Sequence, residues 1–127
     1  MLKYRLWMLL TVAVVVSVAP TPAGAEALRG DQFLTMLTGQ TSNNVQSVVN
    51  KANGMGYLQG LLDSYIVFST RDPSLRVYCM PTEGFSIAQA RRVVIQWLEA
   101  HPQRLHEEAR ILIFHALADA FPCPQIK

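Results

Sequence analysis

The two cysteines of this chain, Cys79 and Cys123, constrain its fold more than any other feature. Between them lie two segments whose apolar residues recur at helical spacing. The first opens at Ser86, which forms a capping-box pair with Gln89 three positions on. Its Ile87, Ala90, Val94, Trp97 and Leu98 share one face, and Arg92, Gln96 and Glu99 mark the wet side. His101-Pro102 ends it. The second places Glu107 and Glu108 in its first turn, where the helix dipole favours acidic side chains, and Pro122 stops it. One cysteine stands just before the first helix and the other just after the second. In an antiparallel hairpin those two points meet at one end. A disulfide there closes a loop of about 45 residues and is worth roughly 4 kcal/mol in the chain-entropy account. The alternative is a pair of buried free thiols, so the compartment matters.

Residues 1–25 bear on the compartment. Met1-Leu-Lys-Tyr-Arg5 is a short basic start, residues 6–19 are apolar apart from Thr11 and Ser17, and Ala23-Gly24-Ala25 is a small-x-small site. This is the layout of a secretory signal peptide, with cleavage expected after Ala25. Pro20 and Pro22 end the run short of the roughly 20 apolar residues a membrane anchor needs, so no membrane attachment is expected after cleavage. The mature domain is then residues 26–127, in an oxidising compartment that favours the Cys79–Cys123 bond. Without Lys3 and Arg5 the charge is balanced, nine basic side chains against nine acidic. A nucleic-acid partner needs a basic surplus and is excluded on that ground.

The residues before Cys79 add two more helices. Asp31 can cap a short one in which Phe33, Leu34 and Leu37 share a face, with Gly39 as a left-handed stop. Asn43 and Gln46 look like the start of a longer helix whose stripe runs Val45, Val48, Val49, Ala52, Leu58, Leu61, Leu62, Tyr65 and Ile66. Ala52, Gly56, Gly60 and Ser64 form a strip of small residues on it, suited to close approach of another helix; the alternative is a loop that breaks the helix at residues 54–56. Asp72-Pro73 cannot continue the helix, so residues 69–85 connect, with 75–78 extended. The expected fold is all-α: a small antiparallel bundle of about four helices in one domain.

Chemistry is harder to find. His106 and His115 fall on nearly opposite faces of a helix, there is no His-Glu-x-x-His or Cys-x-x-Cys, and no Gly-x-Ser-x-Gly surrounds a serine. The reading is a non-enzyme without metal or cofactor. Two features point instead to partners. Residues 111–118 are apolar except for His115, so that helix is either central to its own bundle or partly covered by a second subunit in a homodimer. The connection at residues 69–76 is polar, holds Arg71, Asp72 and Arg76, and follows no packing pattern, as a recognition loop would. A plain solvated connection is the alternative. Gln103 and Arg104, at the other end of the hairpin, are a second candidate contact, while His101, Pro102 and His106 read as cap and turn residues.

Taken together, Gly56-Tyr57-x-x-Gly60-x-x-Asp63, Cys79-x-Pro81, Ser86-x-x-Gln89, His101-Pro102, His106, Ala116-Leu117 and Ala120-Phe121-Pro122-Cys123 resemble the Rap/Tai family. These are periplasmic immunity proteins against peptidoglycan amidases delivered by type VI secretion. The resemblance covers residues 54–123 and implies a small all-α fold, a homodimer, and inhibition by occlusion of the amidase's active-site groove. Family members often carry a further cysteine pair, one of them just before the Gly-Tyr element. This chain has Gly54 there and no cysteine in residues 26–78. A periplasmic helical binding or stress protein without a toxin partner is the runner-up.

Overall fold

The structure is a computed structural model that describes residues 26–39 and 44–124; the leader at 1–25 and Asn43 lie outside them. Among the described residues it comprises four α-helices: α1 (Gly30–Thr38), α2 (Val45–Arg71), α3 (Ile87–Ala100) and α4 (Ala109–Ala120). Short 3-10 turns at Pro73–Leu75 and Pro102–Arg104 interrupt the two later connections. Among the described residues no strand occurs beyond an isolated bridge between Arg29 and Glu108.

Local sequence explains most boundaries. The Ser86 hydroxyl accepts from the Gln89 N–H at 3.2 Å and starts α3. Gly39 ends α1 in the left-handed region, at φ 68°, with its N–H donating to the Thr35 carbonyl. His101 closes α3, and Pro102 begins the next turn. Three expected starts are displaced. Asn44, not Asn43, caps α2, its side chain accepting from the Ser47 N–H at 3.3 Å. Arg29, not Asp31, is the cap residue of α1, and its guanidinium pairs with the Asp31 carboxylate at 2.6 Å. That cation holds the Asp31 carboxyl below the usual carboxylate range. The start of α4 also differs: Glu108 is the cap and Glu107 precedes the helix, drawn away by a two-pronged bond with Arg104 at 2.7 and 2.8 Å. Leu75 lies in a 3-10 turn rather than an extended segment, because Asp72 caps that turn through the Ser74 N–H at 2.9 Å.

The core is built from Phe33 and Leu37 of α1, Leu58 and Leu62 of α2, Val94 and Leu98 of α3, and Leu112, Ile113 and Leu117 of α4. At about 25 cal/mol per Å² of apolar surface, each such side chain contributes roughly 1.5–3 kcal/mol on burial. The first half of α2 departs from the expected stripe: Val45, Val48 and Val49 are 80%, 68% and 42% exposed, and the buried positions are Ser47, Gly54, Leu58, Leu62, Tyr65 and Ser69. Nine-residue α1 is too short to cover that half.

The helix also runs unbroken through residues 54–56. The glycine needed for close packing is Gly54, where a Cβ would lie 3.1 Å from the Met36 Cβ and 3.2 Å from the Leu37 Cδ2. At Gly56 and Gly60 a Cβ would meet nothing within 4 Å, so among the described residues no helix packs closely on the small-residue strip at these two positions. A second docking point is Arg91, which donates to the Leu37 carbonyl at 2.5 Å and ties α3 to the end of α1.

Candidate functional site

Helices α2 and α4 both pack on α1 and α3 but scarcely approach each other. The space between them is a groove of about 710 Å³, walled by Leu61, Ser64, Tyr65 and Phe68 of α2 and by Ile111, Phe114, His115 and Ala118 of α4. Leu75 and Val77, from the connection after α2, close one end. No Asp, Glu, Lys or Arg lines it. Several lining residues remain well exposed: Phe68 at 61%, Val77 at 56%, Leu75 at 51% and Ile111 at 44%. An apolar surface of this kind on a small domain is a place for a partner. The expectation for residues 111–118 thus divides between the two faces of α4. Leu112, Ile113, Ala116 and Leu117 are buried in the chain's own core, whereas Ile111, Phe114 and Ala118 face the groove.

The end wall is held by one phenol. Tyr65 donates its hydroxyl proton to the Tyr78 carbonyl at 2.5 Å and accepts from the Val77 and Tyr78 N–H groups at 3.2 and 3.1 Å, which uses its full hydrogen-bonding capacity. The Tyr78 ring stacks on Tyr65 with centroids 3.9 Å apart and is 1% exposed. Its own hydroxyl is buried without a hydrogen-bond partner. Such an orphan costs about 1–3 kcal/mol, and burial pushes the phenol's pKa well above its ordinary range. One residue on, Cys79 donates its N–H to the Phe121 carbonyl at 2.8 Å and is joined to Cys123, with the two Cα atoms 4.8 Å apart. The expected disulfide is present, and it fastens the groove's end wall to the end of α4.

The polar residues expected to meet a partner fall in two places, and no hydrogen bond or ion pair among the described residues joins them. Arg71 is the last residue of α2, not part of a loop, and Ser69 is buried inside the helix. Asp72 is spent on capping, its carboxyl held below the ordinary range by the Ser74 hydroxyl and N–H. The Arg76 Nε donates to the Ser69 carbonyl at 3.4 Å. All three residues are exposed, and they flank Leu75 at the end of the groove. At the other place, Gln103 is exposed on the 3-10 turn, whereas Arg104 is engaged on two sides, by Glu107 and by the Trp97 ring 5.2 Å away.

Trp97 packs partly buried against the core, as expected, and also centres a cluster at the surface: its Nε1 donates to the Asp119 carboxylate at 2.7 Å, and its ring stacks on His101 at 4.0 Å. His101 is tied back to the Trp97 carbonyl through Nδ1 at 2.7 Å. Parallel to the Trp97 ring, 6.1 Å away, lies His115, which also lines the groove. Among the described residues no group of three or more His, Cys, Asp or Glu side chains could hold a metal ion. No described helix is long and apolar enough to cross a membrane. Sequence reasoning missed the groove, and Leu75 and Val77, two apolar residues in a polar connection, were the signal that could have found it.

A comparison with curated proteins returned no match. A family described as Rap1a immunity proteins matches residues 29–123, which takes in all four helices and both cysteines. A helical hairpin stapled at its open end and carrying an apolar groove thus comes with a family match over most of the chain, and the chain belongs to the Rap1a immunity proteins.

Proposed function

We propose that this chain is an exported, non-catalytic immunity protein that acts in the periplasm on a peptidoglycan amidase delivered by type VI secretion, occluding its active-site groove. The observation that carries this reading is the family match over residues 29–123, which implies a cognate effector. The disulfide and the leader at residues 1–25, cleaved after Ala25, fit export. Occlusion asks for a rigid scaffold rather than a reacting group, and a core of four helices closed by a covalent bond supplies one.

Two surfaces divide the work. The apolar groove seats a second copy of the chain: exposed Phe68 and Ile111 stand at its lips, so two copies related by a two-fold axis can each offer an apolar ridge to the other's groove. The polar end, Arg71, Asp72 and Arg76, stays outside that contact and meets the effector, with Gln103 and Arg104 as the alternative contact. The groove taken alone also favours a helical periplasmic protein that binds apolar clients without a toxin partner.

The test pairs the mature protein with purified peptidoglycan amidases of the type VI class and follows peptidoglycan hydrolysis. Stoichiometric inhibition is expected, and Arg71→Ala, Asp72→Ala and Arg76→Ala together should weaken it while leaving the circular dichroism spectrum intact. An amidase that hydrolyses peptidoglycan at full rate in the presence of excess protein would favour the client-binding reading.

A further inference from the structure

The walls of the groove between α2 and α4 suit one kind of small occupant. Their side-chain polar groups are mostly committed: the Ser64 hydroxyl donates to the Gly60 carbonyl at 2.7 Å, and the Tyr65 hydroxyl is saturated by residues 77–78. Only the His115 imidazole remains. An extended peptide or a sugar laid there would bury donors and acceptors against hydrocarbon and find few partners for them. A methylene chain carries none. The volume of about 710 Å³ falls within the roughly 300–1,000 Å³ that small-molecule sites occupy.

Charge at one end narrows the choice further. The groove-facing residues of α2 are Leu61, Ser64, Tyr65 and Phe68, and the next step on that face, three residues on, is Arg71. Arg76, between the lining residues Leu75 and Val77, reaches back to the same turn, where its Nε donates to the Ser69 carbonyl. Arg29, Arg104 and Arg110 are each paired with a carboxylate, but among the described residues neither Arg71 nor Arg76 is. The one acid between them, Asp72, is engaged by the Ser74 hydroxyl and N–H. Two cations against one anion leave this end of an apolar groove positive.

We propose that the groove binds a long-chain fatty acid, its alkyl chain between α2 and α4 and its carboxylate on Arg71 and Arg76. The planar fork of an arginine matches a carboxylate with two parallel hydrogen bonds. This does not depend on the immunity reading. It does set the fatty acid against the second copy and the effector, because all three draw on this surface.

Calorimetric titration of the oxidised mature protein with dodecanoate, below its micelle-forming concentration, tests the assignment. Saturable binding of one ligand per chain is expected, tightening about tenfold for each two methylenes added from octanoate to dodecanoate. Dodecyltrimethylammonium, with the same chain and the opposite charge, should bind about tenfold more weakly. Arg71→Ala with Arg76→Ala should erase the difference between the two heads. Ser64→Trp, at an exposed position of the wall, should abolish binding of both by filling the groove. Equal affinity of the parent for the two heads would reduce the binding to detergent-like adsorption and overturn the proposal. So would undiminished binding to Ser64→Trp, or no uptake of dodecanoate at millimolar concentration. Tighter binding of dodecyl phosphate than of dodecanoate would overturn it in favour of a phosphate-headed lipid. None of these titrations contains an amidase, so failure to inhibit one strikes the functional reading alone.

Discussion

The two sides of α4 face different kinds of surface, one polar and one apolar. On one side the hairpin turn gathers Trp97, His101, Arg104, Glu107 and Asp119, and nearly every polar group there already has a partner in the chain. On the other side Ile111, Phe114 and Ala118 face α2 across a groove whose apolar surface is unmatched. Charged residues draw the eye in a sequence, yet here they are consumed locally, and the unsatisfied surface is the apolar one. A partner gains most where the chain has left free energy unused, and that is the groove.

The comparison can be broken at its strongest point first. Replacing Cys79 and Cys123 by serine should lower unfolding free energy by about 4 kcal/mol, the chain-entropy value for a loop of this length. Urea unfolding of the mature protein measures it, and a loss under about 1 kcal/mol would mean that the groove's end wall is held by packing alone. Next in size is the buried side of α4, where Leu117→Ala should cost about 3 kcal/mol as transfer and cavity terms add. Ile111→Ala, on the half-exposed groove side, should cost a small fraction of that. Equal losses at the two positions would erase the distinction between the faces.

Self-association sharpens the contrast. If the groove seats a second copy as proposed, Phe68→Glu or Ile111→Glu places a carboxylate in that apolar contact and should weaken dimerisation by about 100-fold or more, read by light scattering across micromolar concentrations. Gln103→Ala and Arg104→Ala on the turn should leave the mass unchanged. If instead the turn variants dissociate the protein and the groove variants do not, the second copy sits on the polar side.

How far these features could be read in advance depends on the distance over which each is determined. Gly39, the Ser86–Gln89 pair and the His101–Pro102 stop were legible because a cap is decided within a few residues. The disulfide was legible because two cysteines flank one hairpin. The stripe over Val45, Val48 and Val49 failed because periodicity reports which face is apolar, not how far the neighbouring helix extends. Trp97 and Asp119 are 22 residues apart and meet through the packing of α3 on α4, which no local pattern encodes. Gly54 and Gly60 look alike in sequence, but only the first faces another backbone. Gly60→Ala should therefore stabilise the protein by roughly 0.5–1 kcal/mol, the helix-propensity difference, without altering dimer mass. A weakened dimer would extend the groove contact onto the small-residue strip.

The smallest expected effect tests whether the turn's polar groups are as self-contained as the geometry indicates. Arg104 holds the Glu107 carboxyl below the usual carboxylate range through its side-chain hydrogen bonds, with His106 and His115 adding in the same direction. A carboxyl whose pKa is lower folded than unfolded adds stability above its unfolded value, and that contribution disappears as pH falls through the folded value. Unfolding midpoints should therefore decline on acidification below the ordinary glutamate range, near pH 4. Asp31 beside Arg29 and Asp72 beside Ser74 add declines of the same sign. Because Glu107 and its partner are solvent-screened, the effect should be small and should shrink further in high salt. Arg104→Ala should remove the part that belongs to Glu107 and leave the parts from Asp31 and Asp72. An unchanged acid profile in that variant would mean that the turn does not draw on this pair, and Arg104 would be free to serve the effector instead.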